Sequence, residues 1–236
     1  MADIPLAALI FDVDGTLAET EELHREAFNR AFAGQGLSFR WDQTLYRSLL
    51  LITGGRRRIE HFLVGSTDLT ESHIAELVPC LHREKNSHYA AVLMEAPIEL
   101  RPGVADLLRD ARRAKLRLAI ATTTSRSNLE GLAQRFPSDL GLDGFDAVVC
   151  GEDVTALKPD PEVYQTALSR LGLPASRCLA FEDTWNGVES AIGAGLAVVA
   201  TPSLYSADQD LSRATVVLES LAQFELPAPG RPLVSG

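Results

Sequence analysis

Six short apolar runs recur along the chain: "ALIF" from Ala8, then "LRLAIATTT" (116–124), "FDAVVCGED" (145–153), "RCLAFEDT" (177–184), "LAVVATP" (196–202) and "ATVVLES" (214–220). Each is rich in Ala, Val, Leu and Ile, and several break into Asp, Glu, Thr, Ser, Gly or Pro. Continuous apolar runs of this length fit strands covered on both faces, as in a parallel sheet. Between them lie helical patterns: "VADLLRDARRAKL" (104–116), "PEVYQTALSRLGL" (161–173) and "WNGVESAIGAGL" (185–196). The first follows Pro102-Gly103, and the second opens on Pro161 and closes near Gly172, which is ordinary helix punctuation. The alternation predicts an α/β fold, a doubly wound Rossmann-like parallel sheet.

The interval from 19 to 96 departs from this pattern. "TEELHREAFNRAFAGQG", "RWDQTLYRSLL", "RRRIEHFLVG" and "TESHIAELVPCLHREKNSHYAAVLME" all carry helical periodicity, and none reads as a strand. The chain is therefore expected to divide into a core of residues 1–18 and 97–236 and an all-helical insert of residues 19–96. Internal repeats and low-complexity segments are absent. The tail "LPAPGRPLVSG" is rich in Pro and Gly and is expected to fray.

Composition narrows the choice of ligand. The chain has 236 residues, 46% of them hydrophobic and 23% charged, enough for a sizeable core. Its net charge is −10. That argues against a nucleic-acid or anionic-membrane surface, which needs a net basic face. A small anionic ligand remains open if basic residues gather locally. Three scattered cysteines without CxxC spacing read as free thiols in a reducing compartment, with Cys150 and Cys178 in the core. No run reaches the ~18 apolar residues of a membrane span, and "MADIPLAA" has no basic region of a signal peptide. The expectation is a cytoplasmic, monomeric protein acting on a small molecule.

Candidate chemistry lies at the strand ends. In an open parallel sheet, ligands bind beyond the carboxyl ends of the strands. The first strand ends at Asp12-Val13-Asp14, the second at Thr122-Thr123-Thr124-Ser125 and the fourth at Glu182-Asp183, while "ALKPDPEVY" carries Lys158 on a stiff loop. Two carboxylates on one side of an extended segment repel each other. A hard cation such as Mg²⁺, which prefers oxygen ligands, would relieve that repulsion. The alternative for each motif is structural: turn residues at Asp12 and Asp14, β-propensity at Thr122, a surface lysine at Lys158, a helix cap at Glu182 and Asp183.

Within the helical interval, Gly54-Gly55 interrupts the pattern and Arg56, Arg57 and Arg58 open the next helix. Cations at a helix N-terminus are unfavourable, so a phosphate or sugar-hydroxyl clamp explains them better than a solvated charge run. Arg56 is expected to face the ligand, since Arg57 and Arg58 cannot both point the same way. Glu21 and His24, three apart, share one helix face. Arg126 is either a second phosphate ligand or simply exposed. The other histidines, His61, His73, His82 and His88, have no metal-ligand partners at convincing spacing.

"DVDGT", a hydroxyl after the second strand, "KP" and a closing acidic pair resemble, in order, the four motifs of the haloacid dehalogenase superfamily of phosphatases and phosphomutases. The helical insert resembles that superfamily's C1 cap. "DGTLAETEELH", "TGGRRRI" and "ATTTS" are closest to the CbbY branch, whose members hydrolyse sugar bisphosphates, notably xylulose 1,5-bisphosphate. The β-phosphoglucomutase branch is near, sharing a cap histidine at His24 and the pattern Lys85-Asn86…Tyr89. The resemblance implies a Mg²⁺-dependent sugar-phosphate phosphatase. A phosphomutase is the alternative, and a catalytically silent binding protein on the same scaffold a more distant one.

It also implies roles. Asp12 is the nucleophile that becomes an aspartyl phosphate, and Asp14 the acid and base. Mg²⁺ is held by Asp12, Asp14 through its backbone carbonyl, and Asp183, with Glu182 directly on the ion or one step behind. Thr122, Thr123 and Lys158 hold the transferred phosphate. The substrate-binding set is Glu21, His24, Thr53, Gly54, Gly55, Arg56, Lys85, Thr123, Thr124, Ser125, Arg126 and Asn128. Trp185 and residues 135–144 depart from the family pattern.

Overall fold

The computed structural model describes residues 5–227. The first four residues of "MADIPLAA" and the last nine of the Pro/Gly-rich tail lie outside the described residues. Six strands form one parallel sheet in the order β3-β2-β1-β4-β5-β6. They are β1 (Ala8–Phe11), β2 (Arg117–Ala121), β3 (Ala147–Val149), β4 (Cys178–Glu182), β5 (Ala197–Ala200) and β6 (Val216–Val217). All six apolar runs become strands, and the polar residues that follow stand at or just beyond the strand ends, on the sheet's carboxyl edge.

Strand periodicity of two sorts large from small side chains. Leu9, Phe11, Leu118, Ile120, Leu179 and Phe181 fill one face, and Ala8, Ile10, Ala119, Ala121, Cys178 and Ala180 the other. Phe11 stacks on Phe181 with ring centroids 4.7 Å apart. The large-residue face packs on α5 (Val104–Arg113) and α6 (Arg126–Arg135). The small-residue face lets α8 (Glu162–Leu171) and α9 (Trp185–Gly193) approach closely. A short helix, α7 (Pro137–Leu140), follows α6.

α6 and α7 were not legible in the pattern. In "RSNLEGLAQR" the inward residues include Asn128 and only three apolar side chains, and Gly131 sits in the middle against Leu93. A polar, glycine-bearing helix has a weak 3.6-residue signature. The predicted helix punctuation holds at α8, which ends on Gly172 in the left-handed conformation. The cap of α9 is the Thr184 hydroxyl, which accepts from Gly187 N at 3.2 Å, rather than Glu182 or Asp183.

Between β1 and β2 come α1 (Glu21–Gly34), α2 (Gln43–Leu49), α3 (Gly55–Ser66) and α4 (Glu71–Glu95). α1 and α4 pack along each other. Phe28, Phe32, Trp41, Tyr46 and Phe62 build a separate aromatic cluster here, with Phe32 and Trp41 at 4.9 Å. Tyr205, from the loop after β5, is buried in that same cluster and stands 5.4 Å from Tyr46. Among the described residues no helix is long and apolar enough to cross a membrane.

Strand order reverses between β1 and β4, so the topological switch point lies at their carboxyl ends. The register pairs Phe11 with Phe181 on one side and Ile120 on the other. Asp12 is thereby level with Glu182, the last residue of β4.

The aromatic cluster should be a main source of stability for the helical segment. Phe32→Ala should cost about 3–5 kcal/mol in urea unfolding, the usual range for a buried phenylalanine. A cost under ~1 kcal/mol would show that the cluster does not hold these helices together.

Candidate active site

Three buried carboxylates meet at the switch point. Asp12, Glu182 and Asp183 each place an oxygen within 4.8 Å of the others. Lys158 Nζ reaches into the group, donating to Asp12 Oδ1 and to Glu182 Oε1, both at 2.6 Å. Tyr164 OH donates to the same Glu182 oxygen at 2.7 Å. The backbone lets these side chains approach: a Cβ on Gly187 would lie 1.9 Å from the Glu182 carboxyl. A Cβ on Gly15, whose φ is +80°, would lie 2.2 Å from Asp183 Oδ2.

One lysine does not balance three acids. Burial raises the Asp12 carboxyl to about 8, with Glu182 and Asp14 adding to the shift and Lys158 opposing it. Burial, then Asp12 and Glu182, push Asp183 well above the usual carboxylate range. Asp183 Oδ1 is buried with no hydrogen-bond partner, and Oδ2 receives only a 3.4 Å bond from Ser206. Hard oxygen donors, excess negative charge and an orphaned carboxylate oxygen fit a small divalent cation. Glu182 is different. Its Oε1 is taken by Lys158 and Tyr164, its Oε2 accepts from Asp183 N at 3.2 Å, and it does not border the cavity. It holds Lys158.

Asp14 points elsewhere. Its Oδ1 accepts from Thr20 Oγ1 at 2.5 Å and lies 3.1 Å from His24 Nε2. His24 Nδ1 in turn lies 2.7 Å from Lys85 Nζ, and the imidazole stacks on Tyr89 at 4.0 Å. Burial would raise the Asp14 carboxyl, but His24, Thr20 and Lys85 outweigh it and hold the group below the ordinary range. His24 and Lys85, both in the expected substrate-binding set, border the larger cavity. Both are buried, both His24 nitrogens face protein groups, and the pair orients Asp14. With its carboxylate engaged, Asp14 would offer a cation its backbone carbonyl.

Two cavities open from this point. A small one of about 80 Å³ is bordered by Asp12, Asp14, Thr122, Thr123, Lys158 and Asp183. A larger one of about 520 Å³ continues past Asp14 and Glu21 between the helical segment and the core. Thr53 borders the first, Gly54 both, and Gly55, Arg56, Arg57, Thr124, Ser125 and Asn128 the second. Thr122 Oγ1 accepts from Thr124 N at 3.1 Å, and Ser125 caps α6 by accepting from Asn128 N. Arg126 borders neither cavity; it is half-buried and pairs with Asp153 at 2.8 Å.

Sequence reasoning missed several of these groups. Arg58 is buried where the two cavities join, its Nε donating to Leu49 O at 3.0 Å and its head over the Phe28 and Tyr46 rings. Arg56 and Arg57 are exposed. A signal for Arg58 was present: it precedes Phe62 by four residues and so shares the inward face of α3. Tyr46 OH donates to Glu21 Oε2 at 2.7 Å and fixes that carboxylate at the cavity wall. Tyr164 and Ser206 had no sequence signal, because each acts through a partner distant in the chain, and Thr20 meets Asp14 only through the turn between β1 and α1.

Comparison with known proteins agrees with this geometry. Residues 6–195 match the haloacid dehalogenase-like hydrolases. Protein CbbY of Rhodobacter capsulatus is 47% identical over 210 residues, covering 89% of this chain and 91% of that protein. The crystal structure of CbbY from Rhodobacter sphaeroides with phosphate superposes with a TM-score of 0.85 at 43% identity, covering 94% of this chain and 96% of that one. A mutant of the same protein, 42% identical to this chain with the same TM-score, is solved in complex with xylulose 1,5-bisphosphate.

The charge imbalance has a measurable consequence. Burial raises the Asp12 carboxyl to about 8 and pushes Asp183 up as well, so ionising these groups costs stability that grows as pH rises above ~4, the unfolded value. Mg²⁺ should therefore raise Tm, and raise it more at pH 8 than at pH 6. Asp183→Asn should flatten that difference. Equal Mg²⁺ shifts at both pH values, in wild type and variant alike, would refute the assignment.

Proposed function

The chain belongs to the haloacid dehalogenase-like hydrolases and is a phosphatase, and from that premise we propose that it removes one phosphate from a sugar bisphosphate, with xylulose 1,5-bisphosphate as the candidate. The observation that carries the reading is the pair of joined cavities. The small one offers a nucleophile, a lysine and hydroxyls for the reacting phosphate. The large one is walled by Arg56, Arg57 and Arg58, which suits a second anionic group at the far end of a sugar. The CbbY structure that holds xylulose 1,5-bisphosphate supports the same choice.

Asp12 attacks phosphorus and becomes an aspartyl phosphate, which water then hydrolyses. Lys158 holds the Asp12 carboxylate in place, kept charged because Asp12 and Glu182 outweigh its burial. Thr122 and the Thr123 amide hold the phosphate oxygens. Mg²⁺ held by Asp12, Asp183 and the Asp14 carbonyl would neutralise charge between the nucleophile and those oxygens. Asp14 protonates the leaving alkoxide and deprotonates the attacking water. Its present partners favour the anion, the form that suits the second task. The first requires it to part from Thr20 and His24. Residues 19–96 form a cap whose closure excludes water until Asp12 has reacted. Glu21, fixed by Tyr46, meets a sugar hydroxyl.

Asp12→Asn should lower kcat more than ~10³-fold while the fold persists. Near-normal turnover in a correctly folded variant would rule out the covalent route. Wild type should prefer the bisphosphate over its monophosphate in kcat/KM. Each lost charge-assisted contact of ~1.5–3 kcal/mol corresponds to roughly 10–150-fold. Arg58→Ala should erode the preference by that amount and Arg56→Ala by less, with p-nitrophenyl phosphate hydrolysis nearly unchanged in Arg56→Ala. Equal losses on both substrates in Arg56→Ala, or a wild-type preference for hexose monophosphates, would sink the bisphosphate reading.

A further inference from the structure

His82 borders the larger cavity and takes no part in the chemistry above. It lies one turn before Lys85 on α4, on the same helix face. Its ring packs on the first turn of α3, where a Cβ on Gly55 would stand 3.2 Å from both Cδ2 and Nε2. Among the described residues, burial and neighbouring charge govern the ring rather than any hydrogen bond.

The charged groups around it are unevenly placed. α3 contributes Arg56, Arg57 and Arg58, α4 contributes Lys85, and α1 contributes His24. The acids on the same wall are Glu21 on α1, Asp14 after β1, and Glu152 after β3. All three of those acids are already engaged. Glu21 accepts from Tyr46, and Asp14 is held by Thr20 and His24. Glu152 accepts from the Arg126 amide at 3.1 Å. Burial first, then Lys85, Arg56 and His24, push the His82 imidazolium down to about 4. The ring is thus neutral near pH 7, at a place where cations crowd it and an anion would reverse the balance.

We propose that His82 is a ligand of the substrate's remote phosphate and takes up a proton from solvent as that phosphate arrives. The proposal rests on the two-phosphate reading above. The ring gains one N–H, no bond in the substrate changes, and the new imidazolium donates to a phosphate oxygen. Arg56 and Lys85 disfavour that proton in the free enzyme. A bound dianion favours it by the same Coulombic route with opposite sign. Uptake on binding means tighter binding at lower pH. If the bound-state value reaches ~6.5–7, affinity gains roughly 4–10-fold between pH 8 and pH 6, beyond any change from the phosphate's own titration.

The test uses the full chain carrying Asp12→Asn, which stops turnover, titrated with xylulose 1,5-bisphosphate by calorimetry in two buffers of different ionisation enthalpy. Adding His82→Gln should lower proton uptake at pH 6 by several tenths of a proton and weaken binding several-fold more at pH 6 than at pH 8. Equal uptake with and without His82 overturns the proposal. NMR of the chain with His82 intact gives a second readout that needs no folded double variant. The imidazole signal of His82 should titrate at higher pH with the bisphosphate than without it, and an unmoved titration overturns the proposal. A wild type that does not prefer the bisphosphate over its monophosphate overturns the two-phosphate reading itself, and that result is read without any His82 variant.

Discussion

Lys158 stands between two buried carboxylates, and the site is arranged around that contact. Taking three charges out of water is expensive unless each is paired and hydrogen-bonded. Lys158 meets the requirement for Asp12 and Glu182, and Tyr164 satisfies Glu182 further. Asp183 is left over. The same arrangement that fixes Asp12 therefore leaves a local surplus of negative charge, which fits a small divalent cation. Removing Glu182 would leave Lys158 unpaired on one side and free to drift from Asp12.

The fold explains why these groups can meet. Parallel strands with helices on both faces leave one polar edge, and the switch point between β1 and β4 opens there. Small residues on one face let α8 and α9 come close, bringing Tyr164 and the Gly187 turn against Glu182. The helical segment is tied to the same edge by two routes. His24 and Lys85 hold Asp14 from one side. Tyr205, at the end of a loop whose Ser206 touches Asp183, is buried among Phe28, Trp41 and Tyr46 on the other. A movement of the helical segment would thus be felt at both Asp14 and Asp183.

The strands were legible because a parallel sheet buries both faces, so each strand is a continuous apolar run needing no partner to be recognised. Asp12, Asp14, Thr122, Glu182 and Asp183 stood out because they sit at or just past the ends of those runs, whereas Lys158 lies nine residues beyond the end of β3. What stayed hidden depends on contacts across the chain. α6 is polar enough to lack a helical stripe, and the buried side of the Arg56–Arg58 run follows from Phe62 rather than from the charges. His24 shows the limit most clearly. Its place on one face with Glu21 follows from spacing, but its partners, Asp14 ten residues back and Lys85 sixty-one residues on, follow only from how α1 and α4 pack.

These differences separate the two halves of the site by how their charges are held. Near the nucleophile every charge except Asp183 has a fixed, buried partner, which suits a step that demands geometry within fractions of an ångström. At the far end Arg56 and Arg57 are exposed, Arg58 is held by an aromatic sandwich and one carbonyl, and His82 is uncharged. Those groups gain their full electrostatic worth only when an anion arrives and water leaves. Binding energy released there is well placed to hold the helical segment down over the reacting centre, so that a substrate lacking the second anion would lose rate as well as affinity. On the two-phosphate reading proposed above, discrimination resides in the loosely held half of the site and chemistry in the tightly held half, with Asp14 and its tether through His24 to α4 as the junction between them.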